Sequence, residues 1–144
     1  MQPNTSAQCV LLIDDDPISE YLLRENLRFL NPNITLKYHR NPLRAVVMLS
    51  EMQLNPAESR WPSAIFIDLN TPLFNAWDFL EHYQELGDEQ ALKTPIVILT
   101  SEVSDGLRLR AERYSKLNLE LKEKPVSHEI IRNALLPKQQ KKVA

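Results

Sequence analysis

The chain is nearly devoid of cysteine: Cys9 is the only one in 144 residues, which excludes a disulfide within the chain. It has no long hydrophobic run either, and no stretch approaches the roughly 20 apolar residues of a membrane span. Charge of one sign is also missing. A formal net charge of -2 leaves no basic footprint for nucleic acid. The opening MQPNTSAQ lacks the charged-then-apolar layout of a secretory leader, so a cytoplasmic location is expected, with neither membrane nor nucleic acid as partner. Cys9 opens an apolar run with nothing nearby to lower its pKa, and reads as a small core residue.

What is present is ordinary for a globular protein: 43% hydrophobic and 25% charged residues, in a length that suits one domain with a substantial core. The last eight residues, PKQQKKVA, carry three lysines and no acid. They read as a solvated tail and leave the preceding body mildly acidic.

Three short runs are apolar almost throughout: CVLLI (9–13), AIFI (64–67) and IVIL (96–99). Such runs suit strands buried on both faces of a parallel sheet. ITLKYH (34–39) and LELKEK (119–124) alternate instead, which suits half-exposed edge strands. Between the five runs, and after the last, lie stretches with helical spacing. They are marked by Ile18, Leu22, Leu23, Leu27 and Leu30; by Leu43, Val46, Val47 and Met48; by Trp77, Leu80 and Tyr83; by Leu107, Ala111 and Tyr114; and by Ile130, Ile131, Ala134 and Leu135. Asp16-Pro17 and Asn41-Pro42 each pair a capping side chain with a proline at the first helical position, and Asn75 with Asp78 resembles a capping box.

Five repeats of strand then helix require right-handed crossovers and a parallel sheet covered on both faces. Three buried central strands and two half-polar edges match a flavodoxin-like, doubly wound α/β fold, with its five strands in the order 2-1-3-4-5. Ligands of that fold bind beyond the carboxyl ends of the central strands. Asp14 and Asp15 stand at the end of the first strand, Asp68 at the third, Thr100 and Ser101 at the fourth, and Lys124 before Pro125 at the fifth. A single polar residue where a strand meets a loop is unremarked. Acids, hydroxyls and an amine arriving together at the expected crevice suggest chemistry. Two or three carboxylates, a backbone carbonyl and waters make the oxygen shell that Mg²⁺ prefers. A lysine and a hydroxyl can bind phosphoryl oxygens, and an aspartate can attack phosphorus.

The segments LLIDDDP, AIFIDLNTPLFNAWDFL, PIVILTSE and EKPV, in that order, resemble the receiver domain of bacterial two-component response regulators. The resemblance spans about residues 9–136, with 1–8 as an N-terminal extension and 137–144 as the basic tail. It implies that Asp68 is the phosphoacceptor, taking a phosphoryl group from phosphohistidine on a sensor histidine kinase or phosphotransfer protein. Asp14, Asp15, Asp68 and the backbone carbonyl of Asn70 would hold Mg²⁺. Thr100 and Lys124 would contact the bound phosphoryl group, and the Lys124-Pro125 bond would be cis. Asp16, before Pro17, reads as a helix cap rather than a ligand. With no effector domain after the fifth helix, output is expected through a downstream protein. Pairing into a homodimer through the fourth helix, fifth strand and fifth helix is also open to such a domain.

Two departures stand out. The family usually writes Met-Pro-Gly-Met-Asp-Gly after the phosphoacceptor, whereas this chain has Thr71-Pro72-Leu73-Phe74-Asn75-Ala76, which makes left-handed backbone less available. Leu73 and Phe74 then form an apolar knob, unless Phe74 tucks against the third helix. Leu121 occupies the switch position where many members carry an aromatic. Three readings compete: a Mg²⁺-dependent phosphoacceptor that is not an enzyme beyond slow self-dephosphorylation, an unphosphorylated binding module, and a haloacid-dehalogenase-like phosphatase. The last is suggested by Asp68-Leu69-Asn70-Thr71 but lacks an ionisable second acid at Asn70. His39, His82 and His128 share no metal-binding spacing and read as surface residues.

Overall fold

The five runs become five parallel strands: β1 Cys9–Ile13, β2 Thr35–His39, β3 Ala64–Asp68, β4 Pro95–Thr100 and β5 Asn118–Glu123. They lie side by side in the order β2-β1-β3-β4-β5, as expected. The computed structural model describes residues 8–57 and 60–136; residues 1–7 of the N-terminal extension and the whole tail 137–144 lie outside the described residues. β1 and β3 are buried at every position because both of their faces are covered, whereas the alternating β2 and β5 are half-exposed at the edges.

The covering helices are α1 Pro17–Leu30, α2 Pro42–Leu54, α3 Ala76–Tyr83, α4 Glu89–Lys93, α5 Asp105–Ala111 and α6 His128–Leu135. Strand alternation sorts the core into two layers. Leu11, Ile13, Ile65, Ile67, Ile96 and Ile98 face Ala45, Leu49, Trp77, Phe79 and Leu80 of α2 and α3. Val10, Leu12, Phe66, Val97 and Leu99 face Leu23 and Leu27 of α1 and Ile131 and Ala134 of α6. The half-exposed sides of the edge strands join the same layers, with Leu36 and Tyr38 on the α1 side and Leu119 and Leu121 on the other.

The start signals act as their chemistry requires. Ile18 N–H donates to Asp16 Oδ1 at 2.9 Å, and Leu43 N–H donates to Asn41 Oδ1 at 2.8 Å. Asn75 and Asp78 form a full capping box at 2.9 and 3.0 Å, which fixes where the loop after β3 ends. α4 is an addition to the sequence reading. At five residues it is too short to display a helical period, and it is held by Asp88 capping Ala91 and by the buried Tyr83 hydroxyl donating to the Ala91 carbonyl at 2.7 Å. The histidines also differ from expectation in part. His82 is exposed, but His39 is half-buried with Nε2 3.0 Å from Met48 Sδ, and His128 is half-buried and stacked on Phe29.

The loop after β3 resolves the glycine question in an unexpected direction. Leu73 itself adopts the left-handed conformation, with φ at 73°, while its side chain is 91% exposed. The Thr71 hydroxyl donates to the Phe74 carbonyl and Phe74 N–H donates to the Pro72 carbonyl, so the turn is closed by its own bonds. Phe74 is half-buried and joins neither core layer. An L-residue held in this region is disfavoured by about 1–2 kcal/mol. Leu73→Gly is expected to raise unfolding free energy in urea by about 0.5–1 kcal/mol after the entropy of a glycine in the unfolded chain is deducted, while Leu73→Ala changes it little.

Candidate functional site

β1 and β3 end side by side, with Ile13 opposite Ile67, and each delivers acid at its carboxyl end. The alternation that turns Leu12 and Phe66 toward α1 and α6 continues to Asp14 and Asp68, so both carboxylates rise on the same side of neighbouring strands. Asp14 and Asp68 are buried, and Asp15 is half-buried. One carboxylate oxygen from each of Asp14, Asp15 and Asp68 lies within 4.8 Å of the others.

Local bonds hold this convergence. Asp14 N–H donates to the His39 carbonyl at 3.1 Å, which ties the chain after β1 to the end of β2. Asp14 Oδ1 accepts from Asp16 N–H at 2.9 Å. Arg40 Nη2 donates to the Asp15 carbonyl oxygen at 3.1 Å. Asp16 is exposed and caps α1, as its place before Pro17 implied. On the other flank, Lys124 N–H donates to the Thr100 carbonyl at 2.8 Å, and Leu69 N–H to the Leu99 carbonyl at 2.9 Å. The Lys124-Pro125 bond is cis. The Lys124 ammonium forms an ion pair with Asp68 Oδ1.

Electrostatics follow from this geometry. Burial, reinforced by the neighbouring Asp68 charge, pushes the Asp14 carboxyl above the usual carboxylate range, against the opposing pull of the Asp16 N–H, the Ser19 hydroxyl and Lys124. Burial works against the Lys124 charge, but its hydrogen bond to Asp68 and the fields of Asp68, Asp14 and Asp16 prevail and raise its pKa. Asp14 Oδ2 is buried and has no hydrogen-bond partner. A buried carboxylate oxygen without a donor is what a cation would satisfy. Three oxygens around one octahedral Mg²⁺ lie about 2.9–4.2 Å apart at its usual bond lengths, so small rotations of these side chains suit it. The donor set, all oxygen and half-open to water, fits a hard divalent cation.

Of the remaining expected residues, Asn70 follows β3 by two positions and is exposed. Thr100 is buried at the end of β4, and its hydroxyl points into its own loop: it donates to the Glu102 carbonyl at 3.3 Å and accepts from Glu102 N–H at 3.4 Å. Leu121 is half-buried and packs on the central layer. Sequence reasoning passed over Arg40 and Ser19. Arg40 lies just past the end of an edge strand, and its contact with Asp15 could be guessed only from the 2-1-3 strand order.

No family model and no curated protein matches the sequence. Solved structures do match. A two-component response regulator from Cytophaga hutchinsonii is 26% identical, over 88% of this chain and 92% of that one, with a TM-score of 0.74. The receiver domain of a sensor histidine kinase from Pseudomonas aeruginosa, which holds a magnesium ion in its active-site cleft, is 20% identical over 89% and 93%, with a TM-score of 0.67. A chemotaxis protein of Vibrio cholerae is 19% identical over 89% and 95%, with a TM-score of 0.68. No helix among the described residues is long and apolar enough to cross a membrane. In fold and strand order, the chain is similar to the receiver domains of two-component response regulators.

Proposed function

We propose that the protein acts as a response-regulator receiver, formed by residues 9–136, that takes a phosphoryl group on Asp68 from phosphohistidine of a partner kinase or phosphotransfer protein. The observation that carries this reading is the meeting of Asp14, Asp15 and Asp68 with Lys124 paired to the acceptor itself. Lys124 occupies Asp68 Oδ1, which leaves Oδ2 as the attacking oxygen. Attack forms the Oδ2–P bond as the P–N bond to the donor imidazole breaks, and the bond's electrons leave with the imidazole. Lys124 then shifts its charge from Asp68 to a phosphoryl oxygen, and the Thr100 hydroxyl leaves Glu102 to donate to another. Bound to Asp14, Asp15, Asp68 and the Asn70 carbonyl, Mg²⁺ would neutralise charge on the phosphoryl oxygens.

A protein donor suits the rim. Ile18, Tyr21 and Leu22 of α1 are all exposed on the flank that begins at Asp16, an apolar strip beside a charged mouth. The output partner is a protein reached through the far edge. There Leu121 replaces the usual switch aromatic, so movement of Thr100 is transmitted by aliphatic packing. The domain is not an enzyme beyond slow loss of its own phosphoryl group, and it works in the cytoplasm.

Intact mass after incubation with a small phosphoryl donor and Mg²⁺ tests the reading. One acid-stable, base-labile phosphoryl adduct is expected on the wild type, none with EDTA and none on Asp68→Asn. No adduct under any condition would favour a constitutive binding module, and rapid turnover of unrelated phosphate esters would favour a phosphatase.

Cation linkage supplies a second test. A carboxyl whose folded pKa is raised contributes stability that is present below its unfolded pKa, near 3.9, and lost as pH rises through the folded pKa. Asp14 therefore opposes folding at neutral pH, and Asp14→Asn is expected to melt at a higher temperature than the wild type in EDTA. Adding Mg²⁺ at ten times its Kd should stabilise the wild type by about 1.4 kcal/mol and the variant by much less. Equal shifts in both would remove Asp14 from the cation site.

A further inference from the structure

Two buried side-chain oxygens among the described residues have no hydrogen-bond partner: Asp14 Oδ2 and Tyr38 Oη. They belong to the same corner of the fold. β1 and β2 are neighbours with Leu12 opposite Tyr38, and Leu12 and Tyr38 both pack in the α1-side layer. Asp14 follows Leu12 by two residues and turns to that same side. The charged groups that act on the phenol are Arg40, Asp14, Glu20 and Asp15.

The chemistry of the two orphans is complementary. An ionised carboxylate oxygen can only accept, and a phenol can donate. Burial, with the fields of Asp14, Glu20 and Asp15 overriding Arg40, holds the Tyr38 hydroxyl above its ordinary pKa, so it keeps its proton. Of the other acceptors nearby, Glu20 Oε2 takes the Arg24 guanidinium at 2.6 Å and the Asp15 carbonyl takes Arg40, whereas Asp14 Oδ2 takes none. Leaving either orphan unpaired is unfavourable, and a water bridging two such groups is nearly as good as a direct bond.

We propose that Tyr38 is a positioning residue for the acidic site, its hydroxyl donating through one buried water to Asp14 Oδ2 and so fixing the plane of that carboxylate. Asp14 Oδ1 is already fixed by the Asp16 N–H. With both oxygens anchored, the plane of the carboxylate is fixed relative to Asp15 and Asp68. Tyr38 thus acts on the cation through Asp14 and touches neither cation nor phosphoryl group. The part of this inference that concerns the cation rests on the metal reading of the site; the Tyr38-Asp14 link does not.

The test is a double-mutant cycle in EDTA followed by a Mg²⁺ titration of the full chain. Tyr38→Phe keeps the ring in its layer and removes only the donor, while Asp14→Ala removes the acceptor. In urea unfolding, Tyr38→Phe is expected to lower the folding equilibrium constant about threefold to tenfold more in the wild-type background than in the Asp14→Ala background. By calorimetry, Tyr38→Phe is expected to weaken Mg²⁺ binding about tenfold. Equal effects of Tyr38→Phe in the two backgrounds would overturn the link, whatever Mg²⁺ does. Coupling with unchanged Mg²⁺ affinity would overturn the positioning role. Coupling in a wild type that takes up no Mg²⁺ would support the link and overturn the metal reading instead.

Discussion

Mutual repulsion among Asp14, Asp15 and Asp68 is the constraint on which the functional end of this protein depends. Three carboxylates offering oxygens within 4.8 Å of one another, two of them on buried residues, oppose folding unless positive charge or donors are brought to them. The fold brings both. Lys124 reaches across from the end of β5 to Asp68, Arg40 bonds the Asp15 backbone carbonyl from the end of β2, and the Asp16 N–H donates to Asp14 Oδ1. One oxygen of Asp14 is still unsatisfied, and that residual demand is the physical ground on which a divalent cation and a supporting phenol are proposed.

The scaffold that tolerates this corner is stable elsewhere by ordinary means. Aliphatic side chains of the three central strands are buried in two separate layers, and α2 and α3 on one side and α1 and α6 on the other seal them. The helices that start next to the site are pinned by caps from Asp16, Asn41 and Asn75. Among the described residues, the non-glycine residue with left-handed backbone and the cis peptide bond both lie at the mouth. Leu73 sits in left-handed backbone in the loop after Asp68, which is closed by Thr71 and Phe74.

α5 has a different character. None of its residues is fully buried; Leu107 and Ala111 pack on the core, and Tyr114 just beyond it donates its hydroxyl to Glu81 at 2.6 Å and stacks its ring on Trp77. Arg110 lies over the same indole, 4.9 Å from its centre. An element with so little buried surface can shift at small cost, and it follows directly on the loop that engages the Thr100 hydroxyl.

Local chemistry made much of this legible. The runs CVLLI, AIFI and IVIL declared buried strands because residues covered on both faces must be apolar, and Asp16-Pro17, Asn41-Pro42 and Asn75 with Asp78 declared helix starts because orphan N–H groups need acceptors. The same logic placed Asp14, Asp15, Asp68, Thr100 and Lys124 at one end of the sheet. α4 escaped because five residues show no period, and the backbone of Leu73 escaped because its composition argued against the conformation it adopts. Sequence by itself thus determined the strand order's plausibility, the helix caps and which polar residues share the mouth, since each of these depends on spacing along the chain. Only the tertiary structure decided that Lys124 pairs with Asp68, that Arg40 meets Asp15, that Thr100 turns to Glu102, and that Tyr38 and Asp14 share a buried corner. Those contacts join residues far apart in the chain, and their energies depend on burial, which no local pattern encodes.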